Sequence, residues 1–205
     1  MSWLPKRSAP PTIVAASDCE RCRDGWITQP ANTVSSLAYV AGGLDLMGQP
    51  DSDRAFALAM VGVGIGSVAL HGPGGVLGKW AHDASLLSML GLLALADLTV
   101  AEGRHKPRGA VAGIVVASML GALPSATDIS QAVAGALAAS AETRRFLRKR
   151  AAREAGVTVP LWVLGGSLHV LGRTGQPLCR EDSLLQAHAG WHVVSAAALW
   201  SRRHF

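Results

Sequence analysis

The sequence predicts an all-α protein: a seven-transmembrane helix bundle over 31–205, N-terminus outside and C-terminus cytoplasmic, behind an extracytoplasmic segment at 1–30. Three observations predict it. Of 205 residues, 49% are hydrophobic and only 16% charged, and the mean hydropathy is +0.28, a balance that favours the bilayer. Glycine is abundant at 23 residues, and small residues let helix backbones touch in lipid. The basic residues crowd between apolar stretches, as cytoplasmic loops of membrane proteins do. That distribution turns the net charge of +5 and the pI near 9.6 away from nucleic acid.

A fully apolar crossing takes roughly 20 helical residues. Seven candidates follow one another at 31–48, 55–72, 80–98, 108–124, 126–141, 157–172 and 184–201. Gln49-Pro50-Asp51 closes the first, Gly72-Pro73-Gly74-Gly75 the second and the charged stretch from Arg104 to Arg108 the third, while Pro124 divides the fourth from the fifth. The fifth and sixth are short and only weakly apolar. Gly62 and Gly66 form a small-xxx-small pair suited to contacts inside the bundle. The first thirty residues hold no continuous apolar run ahead of a small-residue cleavage site, so no cleaved signal peptide is read and the first span directs insertion.

Seven spans put the termini on opposite sides. Arg54, Arg104, Lys106, Arg108, the six basic residues from Arg144 to Arg153, Arg202 and Arg203 then share the C-terminal side. Lys6, Arg7, Arg21, Arg23, Lys79, Arg173 and Arg180 share the other. The excess on the first side makes it cytoplasmic. The run RRFLRKRAAR reads as an orienting loop on the anionic inner leaflet rather than a nucleic-acid site.

Ionisable groups within spans cost about 2.5–3.5 kcal/mol each even on the lenient insertion scale, so each asks for a partner or a purpose. The second span ends GSVALHG, with Ser67 and His71 one helical turn apart and on one face. The third opens KWAHDASLLSML, placing Asp83 just inside the membrane, and the last contains QAHAGWH, with His188 and His192 again four apart. The predicted topology brings all five towards the outer face. Two imidazoles from one helix and one from another leave a fourth tetrahedral position open, the mark of a catalytic zinc site. Zinc lowers the pKa of a bound water to about 7. In such a site Asp83 orients the water or serves as general base, and the Ser67 hydroxyl donates to a developing oxyanion. An i,i+4 histidine pair alone also fits haem or a proton path. His169 in the sixth span reads as a helix-packing hydrogen bonder, His82 as interfacial, and His105 and His204 as solvent-facing.

These residues carry a resemblance. Ser-x-x-x-His closing the second span, an Asp early in the third, His-x-x-x-His in the last, and an early CE followed by NTVSSL resemble the alkaline ceramidases, within the CREST superfamily of membrane hydrolases. Coverage runs from about Cys19 to Trp200. The resemblance implies zinc on His71, His188 and His192, water activation by Asp83, stabilisation of the intermediate by Ser67, and hydrolysis of a lipid amide. It also implies calcium near the zinc in eukaryotic members. Here the stretch SDCERCRDGWITQPANT keeps Asp18, Glu20 and Asp24 but has Gln29 where the family has a carboxylate, and Arg21 and Arg23 disfavour a cation cage. The family ties its CE cysteine to the loop before the last span, which implies a Cys19–Cys179 disulfide. Cys22 is the alternative partner, and a CxxC metal site with Cys179 would lack a fourth ligand.

The expectation is therefore a zinc-dependent membrane hydrolase that cleaves the acyl amide of ceramide or a ceramide-like lipid, its partner being the membrane lipid substrate. The Ala-rich composition and the QPANTVSSLAYV first span suggest a bacterial member, multi-pass in the inner membrane. The alternative is a non-enzymatic sensor, receptor-like or transport protein holding a metal or haem. Acyl length and oligomeric state are not legible.

Overall fold

The computed structural model describes residues 18–50, 52–102, 108–147 and 152–202. Among them the chain forms seven helices and no strand: α1 Pro30–Gly48, α2 Arg54–His71, α3 Gly75–Glu102, α4 Arg108–Gly121, α5 Thr127–Phe146, α6 Ala152–Leu171 and α7 Ala187–Trp200. Lys6, Arg7, Arg104, Lys106, Arg148, Lys149, Arg150 and Arg203, which entered the charge sorting, lie outside the described residues, as do His105 and His204.

Four of the starts have a local cause. Pro30 opens α1, where its missing N–H costs nothing. The Asp53 side chain caps α2 by accepting from Ala55 N at 3.0 Å and Phe56 N at 3.3 Å. Gly74 and Gly75 turn the chain with φ of 69° and 83°, so α3 starts five residues before the expected position 80. α7 starts three residues later than expected, at Ala187, because Gln186 Nε2 donates to the carbonyls of Arg180 and Ser183 and holds the preceding loop out of the helix.

α1 packs on both α2 and α7; α2 packs on α3, α3 on α4 and α5, and α6 on α7. The core gathers Tyr39, Met60, Val63, Leu93 and Leu199 between these helices. Glycines allow close approaches between neighbouring helices. A Cβ on Gly64 would lie 2.9 Å from Val40 N of α1, and one on Gly66 would lie 2.8 Å from the Ala81 carbonyl of α3. Gly66 thus serves a contact inside the bundle.

Apolar side chains lie on the outside of the bundle as well as in its core, and many polar ones are buried. Val34, Leu58, Leu98, Val116, Val133, Val163 and Val193, one from each helix, are exposed, while Asn32, Ser36, Ser67, His71, Asp83, Asp97, His188 and Arg202 are buried. α2 and residues Gly75–Thr99 of α3 are long and apolar enough to cross a membrane. α7, with 14 residues, is only about 21 Å long.

Two basic residues sorted with the loops belong to the interior. α5 runs to Phe146, beyond the expected end at 141, which carries Arg145 into the bundle; Arg145 and Arg202 are 7% and 2% exposed. Arg202 binds Glu142 through Nη1 and Asp97 through Nη2. Arg145 lies 3.9 Å from Asp97 and 3.7 Å from Glu142. This four-residue ion cluster ties α3 and α5 to the end of α7, and the Thr158–Ser201 hydroxyl contact at 2.9 Å brings in α6. Two acids in the interior, Asp97 and Glu142, are what draw the arginines in, since charges removed from water persist only in pairs.

Candidate metal centre

His71 ends α2, and His188 and His192 occupy successive turns of α7. α2 and α7 each pack on α1, so the three imidazoles meet across it. Their ring centroids are 5.4 Å (His71–His188), 5.2 Å (His71–His192) and 4.6 Å (His188–His192) apart. One nitrogen from each lies within 4.8 Å of the others, and all three residues are buried. Tetrahedral zinc with Zn–N of 2.0–2.1 Å holds its nitrogens about 3.3 Å apart, so the rings have a short distance to close.

Hydrogen bonds fix two of the rings. Gln29 Nε2 donates to the Glu20 carbonyl at 2.8 Å, which turns Gln29 Oε1 towards His71 Nδ1 at 2.6 Å. An amide oxygen only accepts, so Nδ1 carries the proton and Nε2 keeps its lone pair. That Nε2 is buried without a hydrogen-bond partner. Ser35 and Ser36 each donate to the Asn32 carbonyl, at 3.0 and 2.6 Å. Their oxygens are therefore left to accept from His192 Nδ1, at 2.9 and 3.3 Å, and the His192 Nε2 is likewise the free base. His188 Nδ1 lies 3.7 Å from Asp18 Oδ1. His169 packs at a tilt beside both His188 and Trp191, with centroids at 5.6 and 5.4 Å, and its Nδ1 is buried without a hydrogen-bond partner, so it packs at the edge of the cluster without the hydrogen bond through that nitrogen that the sequence suggested.

A strap formed by residues 18–29 covers this end. Cys19 is disulfide-bonded to Cys179, Cys19 N donates to Thr174 Oγ1 at 3.2 Å, and Arg21 pairs with Glu181 and Asp182. At the other end of the strap, Thr28 Oγ1 donates to the last carbonyls of α2, those of His71 and Gly72, each at 2.9 Å. Glu20 accepts from Ala31 N and Asn32 N, both at 2.8 Å, where the positive end of α1 favours a carboxylate. One of the three acidic residues in the segment that the resemblance connects with calcium, Glu20, thus caps a helix here. Cys22 is a free, half-buried thiol, and burial together with nearby Glu20 pushes its pKa up, which favours the unreactive protonated form.

Ser67 is 1% exposed, one turn before His71 on the same helix. Asp83 is 3% exposed and accepts four hydrogen bonds: Lys79 Nζ at 2.5 Å, His82 Nδ1 at 3.0 Å, Thr127 Oγ1 at 3.0 Å and Gln131 Nε2 at 3.0 Å. Its route to the histidines passes through His82, whose ring is 6.3 Å from that of His71. Sequence reasoning gave no role to Gln29, Ser35, Thr127, Gln131 or this position of His82. Ser35 and Ser36 carried a signal, as adjacent hydroxyls within an apolar segment; Gln29 stood out only as an amide where the resemblance implies a carboxylate, which gave no hint of its bond to His71.

No family model, curated protein or solved structure matches the chain.

Proposed function

We propose that the chain is a multi-pass membrane protein whose His71, His188 and His192 hold zinc for hydrolysis of a lipid amide, ceramide or a ceramide-like lipid being the leading candidate substrate. One observation carries the reading: three buried imidazoles from two distant parts of the chain converge, and two of them have their outer nitrogens hydrogen-bonded so that the inner lone pairs face the cluster. A buried nitrogen left unpaired, as His71 Nε2 is, costs about 1–3 kcal/mol, and a cation relieves that cost. Neutral imidazoles suit zinc. Rings 4.6–5.4 Å apart leave no space between them for a haem macrocycle. The exposed aliphatic side chains on every helix, with polar groups turned inwards, support contact with lipid along the whole bundle and hence the seven-span reading with the centre near the outer face. The ceramide assignment comes from the motif resemblance.

Bound zinc would supply Lewis-acid chemistry at neutral pH. The chain's own residues then have separate tasks. Asp83, held by its four donors, accepts from His82 Nδ1–H at 3.0 Å and so leaves the other His82 nitrogen as the base that takes the proton of the attacking water, the His82 ring lying 6.3 Å from that of His71. Ser67 Oγ donates to the oxyanion that develops on the amide carbonyl. Exchanging Asp83→Asn is expected to lower turnover by roughly 10²- to 10⁴-fold while zinc content stays at one per chain; loss of the metal would make Asp83 a ligand instead. Ser67→Ala is expected to slow the chemical step by roughly 10²- to 10³-fold without change in melting temperature, and unchanged hydrolysis would remove it from the mechanism.

The deciding experiment incubates the purified protein with lipid extracts and follows products by mass spectrometry. Release of fatty acid and the free amine from an amide-linked lipid, absent in the His188→Ala/His192→Ala variant, supports the reading. An unaltered lipid profile with zinc bound would leave a metal-holding but non-hydrolytic protein.

A further inference from the structure

The outer partners of the histidines come from one short stretch of chain, and one of these partners is chemically distinctive. Gln29 is 1% exposed and uses both ends of its amide. Its Nε2 is fixed on the Glu20 carbonyl of the strap at 2.8 Å, and its Oε1 meets His71 Nδ1 at 2.6 Å. Its backbone N–H donates to the His71 carbonyl at 2.9 Å. The residue therefore grips His71 at both the ring and the main chain, at the point where α2 ends and nothing further along that helix restrains the side chain. The strap is itself held by the Cys19–Cys179 bridge at one end and by Thr28 at the other.

We propose that Gln29 is a positioning residue for the metal centre: its amide oxygen fixes the Nδ1–H tautomer and the ring angle of His71, and thereby sets how tightly the three histidines hold a divalent ion. The inference rests on the metal reading above. An acceptor on the far nitrogen of a ligating imidazole orients the ring and raises its basicity, and losing such a partner typically weakens metal binding about 10- to 100-fold. A neutral amide gives orientation with less polarisation than a carboxylate. Gln29→Leu removes the acceptor at similar volume, whereas Gln29→Glu keeps an acceptor on Nδ1–H and makes it anionic.

The test measures zinc affinity by competition with a chromophoric chelator, and coordination geometry by the visible absorption of the cobalt-substituted protein, for wild type and both variants. Non-reducing mass spectrometry of the Cys19–Cys179 peptide verifies that the strap stays tethered. Gln29→Leu is expected to bind zinc about 10- to 100-fold more weakly with an altered cobalt spectrum, and Gln29→Glu, which keeps the acceptor on Nδ1–H but loses the bond to the Glu20 carbonyl, to bind more tightly than Gln29→Leu. A Gln29→Leu protein that matches wild type in affinity and spectrum overturns the inference, as does a Gln29→Glu protein as weak as Gln29→Leu. A wild-type protein that takes up neither ion defeats the metal reading itself, and this inference with it.

Discussion

The wild type is expected to contain one zinc per chain after purification, and a chain carrying His188→Ala and His192→Ala none. Both substitutions remove ligands from a single helix, leaving His71 alone with Gln29 behind it, and one imidazole does not hold a divalent ion in competition with water. The fold should survive. The cluster sits at one end of α7, whereas the buried contacts of Ala196, Ala198 and Leu199 hold the rest of that helix. Elemental analysis of the detergent-purified protein reads the metal, and circular dichroism reads the helices. Retention of one zinc in the double variant would place the metal somewhere other than this cluster and remove the basis of the hydrolase reading.

The second large effect lies at the opposite end of the bundle. Arg202→Met is expected to destabilise the protein by about 3–5 kcal/mol, because it strips Asp97 and Glu142 of their closest partner and leaves buried carboxylates. Arg145 remains, at 3.9 Å from Asp97 and 3.7 Å from Glu142, and cannot neutralise both. The drop in melting temperature should be roughly 10 °C. Adding Asp97→Leu, Glu142→Leu and Arg145→Met to Arg202→Met should recover much of the loss, since an apolar set of similar volume often matches a buried ion cluster in stability. A melting temperature unchanged by Arg202→Met alone would show that water reaches these carboxylates.

The elements of this architecture were legible because apolar patterning and turn residues leave strong marks. Gln49-Pro50 and Gly72-Pro73-Gly74-Gly75 bracket α2 where the structure ends and begins its helices, and all seven predicted segments overlap observed ones. The residues of the histidine cluster were legible for the same reason: a histidine in an apolar span stands out, and the i,i+4 spacing of His188 and His192 puts both on one face. Burial of Arg145 and Arg202 was not legible. A basic residue at the end of a span looks the same whether it faces the leaflet or an acid buried two helices away, and only tertiary packing brings Asp97 and Glu142 into range. The hydrogen-bonded setting of Asp83 was hidden similarly, since Thr127 and Gln131 lie more than forty residues along the chain. Gln29 was noticed only as a missing carboxylate, and its bond to His71 depends on how the strap folds back.

The placement of the three imidazoles bears on how the protein is made. One arises 71 residues into the chain, and the others wait until residues 188 and 192 have been added; the strap at the start likewise closes only when Cys179 has left the ribosome. Because the N-terminal helices emerge and pack first, any prematurely ended product would carry His71 with no companions and Cys19 with no mate. On the metal reading proposed above, loading with an ion would wait until residue 192 has been made, so that metal content would also report how many molecules had been assembled past that point.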